Sequence, residues 1–308
     1  MGSLVAALAS WLDAKAHEGQ WLIRIEDIDR DRCKEHFSHL IIDQLSRCGL
    51  KSDQDIVYQS KRHHLYDAFM DKLEQRQLLY RCGCSRTQIL NAIKRIHGNS
   101  DPNAPSELSN GLIYPGTCRD AFTPRLATHT DSEREPKTSE LLRYAWRVKT
   151  SPEVHAWFDR RLGWSKQNIG LEVGDFVVKR VDGPFSYQLC VVADDIDQSV
   201  THVVRGEDLA DNTPRQILLY QYLSTPHPQY LHIPLVKNED GEKLSKQTLA
   251  PALELDSMNK ILLSMKSAAK HLGLSTRDDL HESLETLLSD WTYQWSCKYP
   301  LNAELARR

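Results

Sequence analysis

A short apolar run between amphipathic helical patterns is the feature of this sequence that most limits its fold. Residues 3–17 repeat apolar side chains at helical spacing up to Gly19, and residues 21–25 form the apolar run, which predicts a buried strand. Further helical patterns follow at residues 37–45 and 66–73. Because strand–helix alternation of this kind is typical of a parallel sheet covered by helices, we predict an α/β fold.

The second half of the chain predicts further strands and a helical end. Helices are expected at residues 214–223, where Pro214 suits the first turn, and from Leu253 onward. Trp291 and Trp295 are expected to anchor the last helix in the core. Strands are expected at residues 144–149, 175–180, 187–193, 200–204 and 233–236.

Charge and cysteine content narrow the classes of function. The 308 residues include 39 Lys and Arg against 42 Asp and Glu, a net charge of −3, so contact with nucleic acid has to use a local patch. No apolar run is long enough to span a membrane, and the first 16 residues lack the basic start of a signal peptide. Seven cysteines, an odd number, fit a metal site in a reducing cytoplasm better than a disulfide framework.

A loop with two lysines carries the most specific chemistry in the chain. The string Lys243-Leu244-Ser245-Lys246-Gln247 follows an apolar strand pattern. A carboxylate that attacks the α-phosphate of ATP is already ionised near neutral pH and needs no general base. It needs positive charge over the phosphates and fixed positioning, which two lysines on a loop supply. A solvated turn is the alternative interpretation of a bare pair of lysines.

Several segments together resemble one enzyme family. The KLSKQ loop at residues 243–247 is similar to the KMSKS signature of class I aminoacyl-tRNA synthetases. RIEDID at residues 24–29, FSYQL at residues 185–189 and VRGEDL at residues 204–209 resemble segments of the glutamyl branch of that family. APAL at residues 250–253 matches the segment that follows the lysine loop. The chain thus resembles glutamyl-type class I synthetases along most of its length.

The resemblance implies a fold class and a domain order. The fold is expected to be α/β, a Rossmann-like class I synthetase catalytic domain with a zinc-binding insertion and a small helical C-terminal part. Residues 1–80 would form the first part of the catalytic domain and residues 81–122 the zinc-binding insertion. Residues 123–250 would form an acceptor-type insertion and the second half of the catalytic domain, and residues 251–308 the helical part.

The activity implied by the resemblance is that of the short paralogues in the glutamyl branch, the glutamyl-Q tRNA(Asp) synthetases. It consists of activation of L-glutamate with ATP and Mg²⁺ as glutamyl-adenylate, then transfer to the queuosine base of tRNA(Asp). The expected enzyme is cytoplasmic, has no membrane partner and acts as a monomer. Two alternatives stay open, a fragment of an ordinary glutamyl-tRNA synthetase and a non-catalytic RNA-binding relic.

Three residues are expected to bind glutamate. Arg205 suits a bidentate clamp on a carboxylate, Glu26 suits the ammonium group, and Tyr187 suits a polar contact in a partly apolar pocket. The resemblance assigns the same three residues to amino-acid binding. The alternatives are a salt bridge for Arg205, a turn cap for Glu26 and a core aromatic role for Tyr187. An acidic residue at the carboxyl end of a strand favours binding, because open α/β sheets take ligands there.

The ATP site is expected to combine the lysine loop with the start of the chain. The resemblance implies that Lys243 and Lys246 are catalytic residues and that Lys246 and Ser245 bind ATP. Gly2 and Ser3 match the end of a second family signature, which assigns Gly2 to ATP binding. The strand, arginine and histidine that precede this pair in the family are not matched. We therefore expect a shortened start and an ATP site whose completeness decides activity.

Cysteines at turns predict a metal site. Cys82 and Cys84 flank a glycine, and Cys118 follows another predicted turn. Two or three cysteines at turns suit tetrahedral zinc. Three buried free thiols are the alternative interpretation.

The fourth ligand of this site comes from the resemblance alone. It adds Tyr114, so the expected cofactor is one structural Zn²⁺ held by Cys82, Cys84, Tyr114 and Cys118. A water molecule could replace the tyrosine, and His97 is a competing ligand. The remaining cysteines are expected to be small core residues, namely Cys33, Cys48, Cys190 and Cys297.

Contacts to RNA have weaker signals in the sequence. A set of basic and aromatic residues offers candidates for phosphate contacts and base stacking, although surface charge and core packing are the favoured interpretation. The set consists of Trp157, Phe158, Arg160, Arg161, Trp164, Lys179, Arg180 and His202.

Overall fold

A computed structural model describes residues 1–29, 33–97, 113–120, 144–237, 253–276 and 282–301. Its helices are α1 (Gly2–Ala16), α2 (Glu35–Arg47), α3 (His63–Gln75), α4 (Arg86–His97), α5 (Ile169–Glu172), α6 (Tyr187–Asp197), α7 (Thr213–Tyr222), α8 (Met258–His271) and α9 (Leu284–Lys298). Its strands are β1 (Arg24–Ile25), β2 (Val57–Tyr58), β3 (Leu79–Cys82), β4 (Ala145–Val148), β5 (Val154–Asp159), β6 (Gly163–Asn168), β7 (Val177–Lys179), β8 (His202–Gly206) and β9 (Gln229–Ile233). None of these described helices has the length and apolar character that crossing a membrane requires.

The strands of the described ranges form three separate sheets. Strands β1 and β2 pair in parallel, and β8 and β5 both pair in parallel with β9, while β6 is antiparallel to β5. A third sheet has the antiparallel order β3-β4-β7. The expected α/β fold with parallel strands is present. The parallel strands are divided between two sheets, however, because β1 and β8 do not pair with each other.

The first core joins the two ends of the described chain. Helix α1 packs on α8 and α9, with Leu4, Leu8 and Leu12 buried on its inner face. Trp291 and Trp295 of α9 are fully buried in the same cluster, which confirms their predicted role. Full burial of one such side chain contributes roughly 1.5–3 kcal/mol, so apolar packing is the main force that docks the C-terminal helices.

A buried ion pair fixes the same junction. Two guanidinium nitrogens of Arg160 donate to the carboxylate of Asp13 at 2.8 and 2.9 Å, and Trp295 Nε1 donates to this carboxylate at 2.9 Å. Arg160 also donates to the carbonyl of Tyr299 at 2.8 Å. Because its charge is matched inside the protein, Arg160 has a structural role and is no longer a candidate for RNA contact.

The second core lies between helices α3, α6 and α7 and the antiparallel sheet. Tyr66 and Leu73 of α3, Leu189 of α6 and Leu219 of α7 are all fully buried in it. The helices predicted at residues 66–73 and 214–223 and the strands predicted at residues 144–149, 175–180 and 200–204 are confirmed by α3, α7, β4, β7 and β8.

Residues 187–193 form a helix, so the predicted strand is wrong. Helix α6 begins after Ser186, whose hydroxyl accepts a hydrogen bond from the amide of Leu189. Every residue of α6 from Gln188 to Asp195 is buried. A helix that is buried all round shows no polar face, and its apolar run cannot be told from a strand by periodicity.

Two further expectations need correction. The strand predicted at residues 233–236 is displaced. The strand in the structure is β9, which begins at Gln229 and ends at Ile233. The polar residues Gln229 and His232 conceal the beginning of this strand in the sequence pattern.

The cysteines expected in the core divide into two pairs. Cys48 and Cys190 are buried as predicted. Two other cysteines that were expected in the core are exposed, namely Cys33 and Cys297.

Candidate active site

A cleft runs between the two sheets that contain parallel strands. Strand β1 pairs with β2 and β8 with β9, and in the described part of the chain the other edge of each strand has no partner. Residues of both open edges and of α1 line a cavity of about 520 Å³. Arg24, Glu26 and Asp195 are the charged groups near its β1 end. A cavity of this size accepts a small ligand.

Glu26 lies just beyond the carboxyl end of β1, within the cleft. Surrounding protein desolvates it, yet the open cleft leaves its side chain 41% exposed. Burial raises the pKa of Glu26; Arg24, 3.7 Å away, opposes the rise, and Asp195 and Asp194 add to it. A carboxylate among other carboxylates gains from a cationic ligand, which suits the predicted contact with an ammonium group.

Arg205 is a buried cation near the carboxyl end of β8, with 9% of its surface exposed. Its Nε donates to His232 Nε2 at 3.1 Å, and its Nη2 donates to Thr213 Oγ1 at 2.9 Å and to the Leu209 carbonyl at 3.3 Å. Its guanidinium also lies 5.4 Å from the ring centroid of Tyr230. None of these partners carries a negative charge, and no carboxylate of the described residues forms an ion pair with it.

Tyr187 is the first residue of α6 and is partly buried. Burial raises the pKa of its hydroxyl, Glu26 adds to the rise and Arg205 opposes it. Arg205 also lowers the pKa of Glu26. Glu26 and Arg205 are thus near enough to affect the Tyr187 hydroxyl and Arg205 near enough to affect Glu26, so the three predicted glutamate-binding residues lie in one neighbourhood, with Glu26 lining the cleft itself.

Two buried carboxylates behind this site, Asp194 and Asp195, are absent from the expectations drawn from the sequence. Arg24 lies 2.8 Å from Asp195, and Arg62 Nε and Gln59 Nε2 each lie 2.8 Å from Asp194. Acidic residues are almost never buried unless they are paired. Two adjacent aspartates at the end of an apolar run were the signal that could have revealed them.

The groups predicted to bind ATP are only partly described. Lys243, Ser245 and Lys246 lie outside the described residues. Gly2 is the first residue of α1, and a Cβ built on it meets no atom within 4 Å. The start of a helix presents backbone amides and the positive end of the helix dipole, so this position suits an anion.

Three thiols and a phenol converge beside strand β3. The sulfurs of Cys82, Cys84 and Cys118 lie within 4.8 Å of one another, and those of Cys84 and Cys118 are 3.3 Å apart. Tyr114 Oη lies 3.3 Å from the sulfur of Cys82 and 3.9 Å from that of Cys84. Ligands about 2.3 Å from a zinc ion are about 3.8 Å from each other, so the cluster has the dimensions of a tetrahedral zinc site.

Two contacts fix the position of Tyr114. Its ring lies 3.8 Å from the guanidinium of Arg147, which also donates to the carbonyl of Asp175 at 2.6 Å. Gly174, with φ +72°, packs against the backbone of Tyr114, where a Cβ would come within 2.7 Å of the carbonyl oxygen. Only glycine combines that φ with such a close approach.

The charges of the thiols also suit a cation. Burial opposes ionisation of Cys82, but hydrogen bonds with Tyr114 and the Cys84 amide lower its pKa below the usual value. Burial, Cys118 and Cys82 raise the pKa of Cys84 to about 11. Ionisation of Cys82 is therefore favoured over that of Cys84 and opposes it. A divalent ion removes that opposition, because thiols that bind a metal are deprotonated.

Comparison with known proteins identifies the family. Residues 1–261 match the family described as tRNA synthetases class I (E and Q), catalytic domain. The chain is 46% identical over 302 residues to a glutamyl-Q tRNA(Asp) synthetase of Albidiferax ferrireducens, covering 96% of this chain and 93% of the relative. It is 41% identical over 302 residues to the protein of that name from Burkholderia cenocepacia, and the match covers 97% of this chain and 92% of that relative. The chain belongs to the glutamyl-Q tRNA(Asp) synthetase family.

Solved structures add the fold of this family member. A glutamate tRNA ligase from Elizabethkingia meningosepticum, crystallised in complex with its amino acid, superposes with a TM-score of 0.63 at 23% identity, covering 80% of this chain. Glutamate-tRNA synthetase from Elizabethkingia anophelis gives the same TM-score and identity. The chain spans about half the length of these structures, 49% and 50%. The likeness shows a class I synthetase-like α/β fold.

The basic RNA candidates of this family member are mostly engaged within the protein. Arg161 pairs with Glu207, Lys179 with Asp67, and Arg180 with Asp182. The aromatic candidates differ in exposure, since Trp157 is buried whereas Trp164 is 64% exposed on strand β6. His202 lines the cleft.

Proposed function

We propose that this member of the glutamyl-Q tRNA(Asp) synthetase family activates L-glutamate with ATP and Mg²⁺ as glutamyl-adenylate and transfers the glutamyl group to the queuosine of tRNA(Asp). The observation that carries the proposal is the state of Arg205, a buried guanidinium whose hydrogen-bond partners carry no negative charge and which has no carboxylate partner in the described chain. A buried charge without a counterion is costly. A substrate carboxylate supplies the missing partner.

Two of the three charged groups of glutamate are assigned to site residues, and the third reacts with ATP. The α-carboxylate attacks the α-phosphate of ATP, and pyrophosphate leaves, so this carboxylate has to stay free to react. Arg205 therefore holds the side-chain carboxylate, Glu26 the ammonium group, and the Tyr187 hydroxyl supplies a polar contact between them. Glutamine carries a neutral amide in place of that carboxylate and would leave Arg205 without its counterion, so the site selects glutamate over glutamine.

The phosphates of ATP are assigned to the lysine loop. In the proposal Lys243 and Lys246 place positive charge over the phosphates as the pyrophosphate leaves, and Ser245 and Gly2 contact ATP. Fixed positive charge stabilises the transition state more than the ground state because negative charge moves toward the leaving group. Mg²⁺ enters the site with ATP and shares this role.

The thiol cluster is assigned to one structural Zn²⁺ held by Cys82, Cys84, Tyr114 and Cys118. The apolar cluster around it is small, since Tyr80, Cys82 and Tyr114 are its buried members in the described chain. A metal ion supplies folding free energy where an apolar core is too small to do so. The ion would stabilise an insertion at residues 81–122, between catalytic segments 1–80 and 123–250 and ahead of a helical part at 251–308.

Amino-acid-dependent exchange of pyrophosphate into ATP tests the proposal. Purified protein should catalyse the exchange with glutamate and not with glutamine or aspartate, and Arg205→Ala should abolish it. Arg47→Ala, which removes an exposed arginine paired with Asp43, serves as the control and should exchange like the wild type. Exchange that is supported equally by glutamine, or that survives the loss of Arg205, would contradict the assignment.

A further inference from the structure

A fully buried histidine lies directly behind Arg205. His232 Nε2 is 3.1 Å from Arg205 Nε, and His232 Nδ1 is 2.6 Å from Asp159 Oδ2. An arginine guanidinium can only donate hydrogen bonds, so His232 Nε2 has to accept. The ring proton is therefore on Nδ1 and is donated to Asp159. This chain of contacts requires a neutral His232 in one tautomer.

Asp159 is in turn held by the backbone. Its Oδ1 accepts from the amides of Arg161 and Leu162 at 3.0 and 2.8 Å, and its Oδ2 accepts from the amide of His232 at 3.1 Å. Burial works against its charge, but the hydrogen bonds from His232, Leu162 and Arg161 lower the pKa of Asp159 below its usual value. The carboxylate is thus a fixed support at the end of β5, and it fixes the plane of the imidazole.

The contacts of Arg205 then leave one donor group for a ligand. His232 occupies Nε, and Thr213 and the Leu209 carbonyl occupy Nη2. Within the described ranges, Nη1 makes no hydrogen bond. The side chain is therefore held from behind through two of its nitrogens, and Nη1 is the nitrogen that remains for a carboxylate.

We propose that His232 and Asp159 are positioning residues that orient Arg205 for the side-chain carboxylate of glutamate. The inference rests on the proposed function, in which Arg205 binds that carboxylate. Without the histidine, the guanidinium can rotate about its side-chain bonds and no longer presents Nη1 in a fixed direction. Glutamate binding then weakens, while ATP binding, which is assigned to other residues, does not.

Three variants separate positioning from a merely structural role. His232→Leu removes the acceptor for Arg205, whereas His232→Gln retains an oxygen that can accept the Nε hydrogen. His155→Leu is the matched control, because His155 is a 6% exposed histidine on the same strand as Asp159 and is not among the described residues that hydrogen-bond Arg205. Glutamate affinity is measured by titration calorimetry, and KM for glutamate and for ATP by pyrophosphate exchange.

The expected pattern is specific for glutamate. His232→Leu should weaken glutamate binding about tenfold or more, the size expected for loss of a hydrogen bond to a charged group, and should change KM for ATP less than about twofold. His232→Gln should recover part of the loss, and His155→Leu should bind glutamate like the wild type. Unchanged glutamate affinity in folded His232→Leu would overturn the inference, and so would equal losses for glutamate and ATP.

A spectroscopic measurement keeps the inference testable if a variant does not fold or if the enzyme does not bind glutamate. Nitrogen NMR of wild-type protein should show His232 neutral with its proton on Nδ1, and the Nε hydrogen of Arg205 protected from exchange. A ring protonated on Nε2 would overturn the inference whatever the activity. Normal His232 spectra together with no loss of glutamate binding in Arg205→Ala would instead refute the proposed function.

Discussion

Arg24 Nη2 lies 2.8 Å from Asp195 Oδ1, and this ion pair joins strand β1 to helix α6 at the cleft. Arg24 also lies 3.7 Å from Asp194 and 3.7 Å from Glu26, and its side chain is 15% exposed. Burial works against its charge, but Asp195, Glu26 and Asp194 raise the pKa of Arg24. Arg24 therefore lies close to three carboxylates, and Asp195 is its nearest partner.

Removal of Arg24 should destabilise the fold strongly. Arg24→Met leaves the buried carboxylate of Asp195 without its counterion, and we expect the free energy of unfolding to fall by about 3 kcal/mol in urea denaturation. Arg47→Met is the control, because both members of its pair with Asp43 are about half exposed, and it should cost less than about 1 kcal/mol. Equal effects of the two substitutions would show that the buried pair is not a stabilising contact.

Glutamate binding should depend on the protonation of Glu26. Burial raises the pKa of Glu26, and only its ionised form attracts an ammonium group. KM for glutamate should therefore rise as pH falls through this raised pKa, above the value of about 4.3 at which a free side-chain carboxyl titrates. Glu26→Gln should bind glutamate more weakly at neutral pH and lose this pH dependence. Identical pH profiles for Glu26→Gln and the wild type would contradict the assignment.

The same substitution should stabilise the protein when no glutamate is bound. The pKa of Glu26 is higher in the folded than in the unfolded chain, so its ionisation costs stability as pH rises through this range. Glu26→Gln should therefore unfold at a higher temperature than the wild type near neutral pH, with the difference vanishing in acid. A lower melting temperature at neutral pH would indicate that the Glu26 carboxylate stabilises the empty protein.

The thiol cluster should bind one zinc ion per chain. Elemental analysis of purified protein should find one equivalent, and Cys84→Ser and Cys118→Ser should each lose it and melt at a lower temperature. Cys33→Ser and Cys297→Ser should retain the metal, because these two cysteines are exposed and lie outside the cluster. Absence of zinc together with alkylation of the three clustered thiols in native protein would refute the site.

Loss of Lys246 should act on the chemical step. Lys246→Ala should slow adenylate formation on the order of 10²- to 10³-fold, the usual effect of removing one preorganised electrostatic donor. The affinity for glutamate should stay unchanged, because Arg205 and Glu26 are assigned to that substrate. Single-turnover kinetics with near-wild-type adenylate formation would show that the loop has a different role.

The sequence predicts those parts of the fold whose patterns are local. Helix α1 shows a regular apolar stripe, and Glu26 follows the apolar run at residues 21–25, of which Arg24 and Ile25 form β1, so their positions could be inferred from spacing. Helix α6 could not, because it is buried on all sides and has no polar face.

The support behind the candidate site could not be predicted from the sequence. Asp159 and His232 are 73 positions apart, and the parallel pairing of β5 with β9 is what brings them into contact. Arg205 joins them because β8 pairs with β9 in a register that sets Arg205 opposite His232. Contacts of this kind follow from sheet order, which a single sequence does not specify.

The central claim is tested most directly by following labelled glutamate onto tRNA. With ATP and Mg²⁺, the protein should attach glutamate to tRNA(Asp) that contains queuosine and not to the same tRNA without the modified base. After digestion of the labelled RNA to nucleosides under mildly acidic conditions, which spare the ester, the label should be found on the queuosine nucleoside and not on the terminal adenosine. Glutamate esterified to the terminal adenosine of tRNA(Glu), or no transfer to any tRNA, would contradict the account.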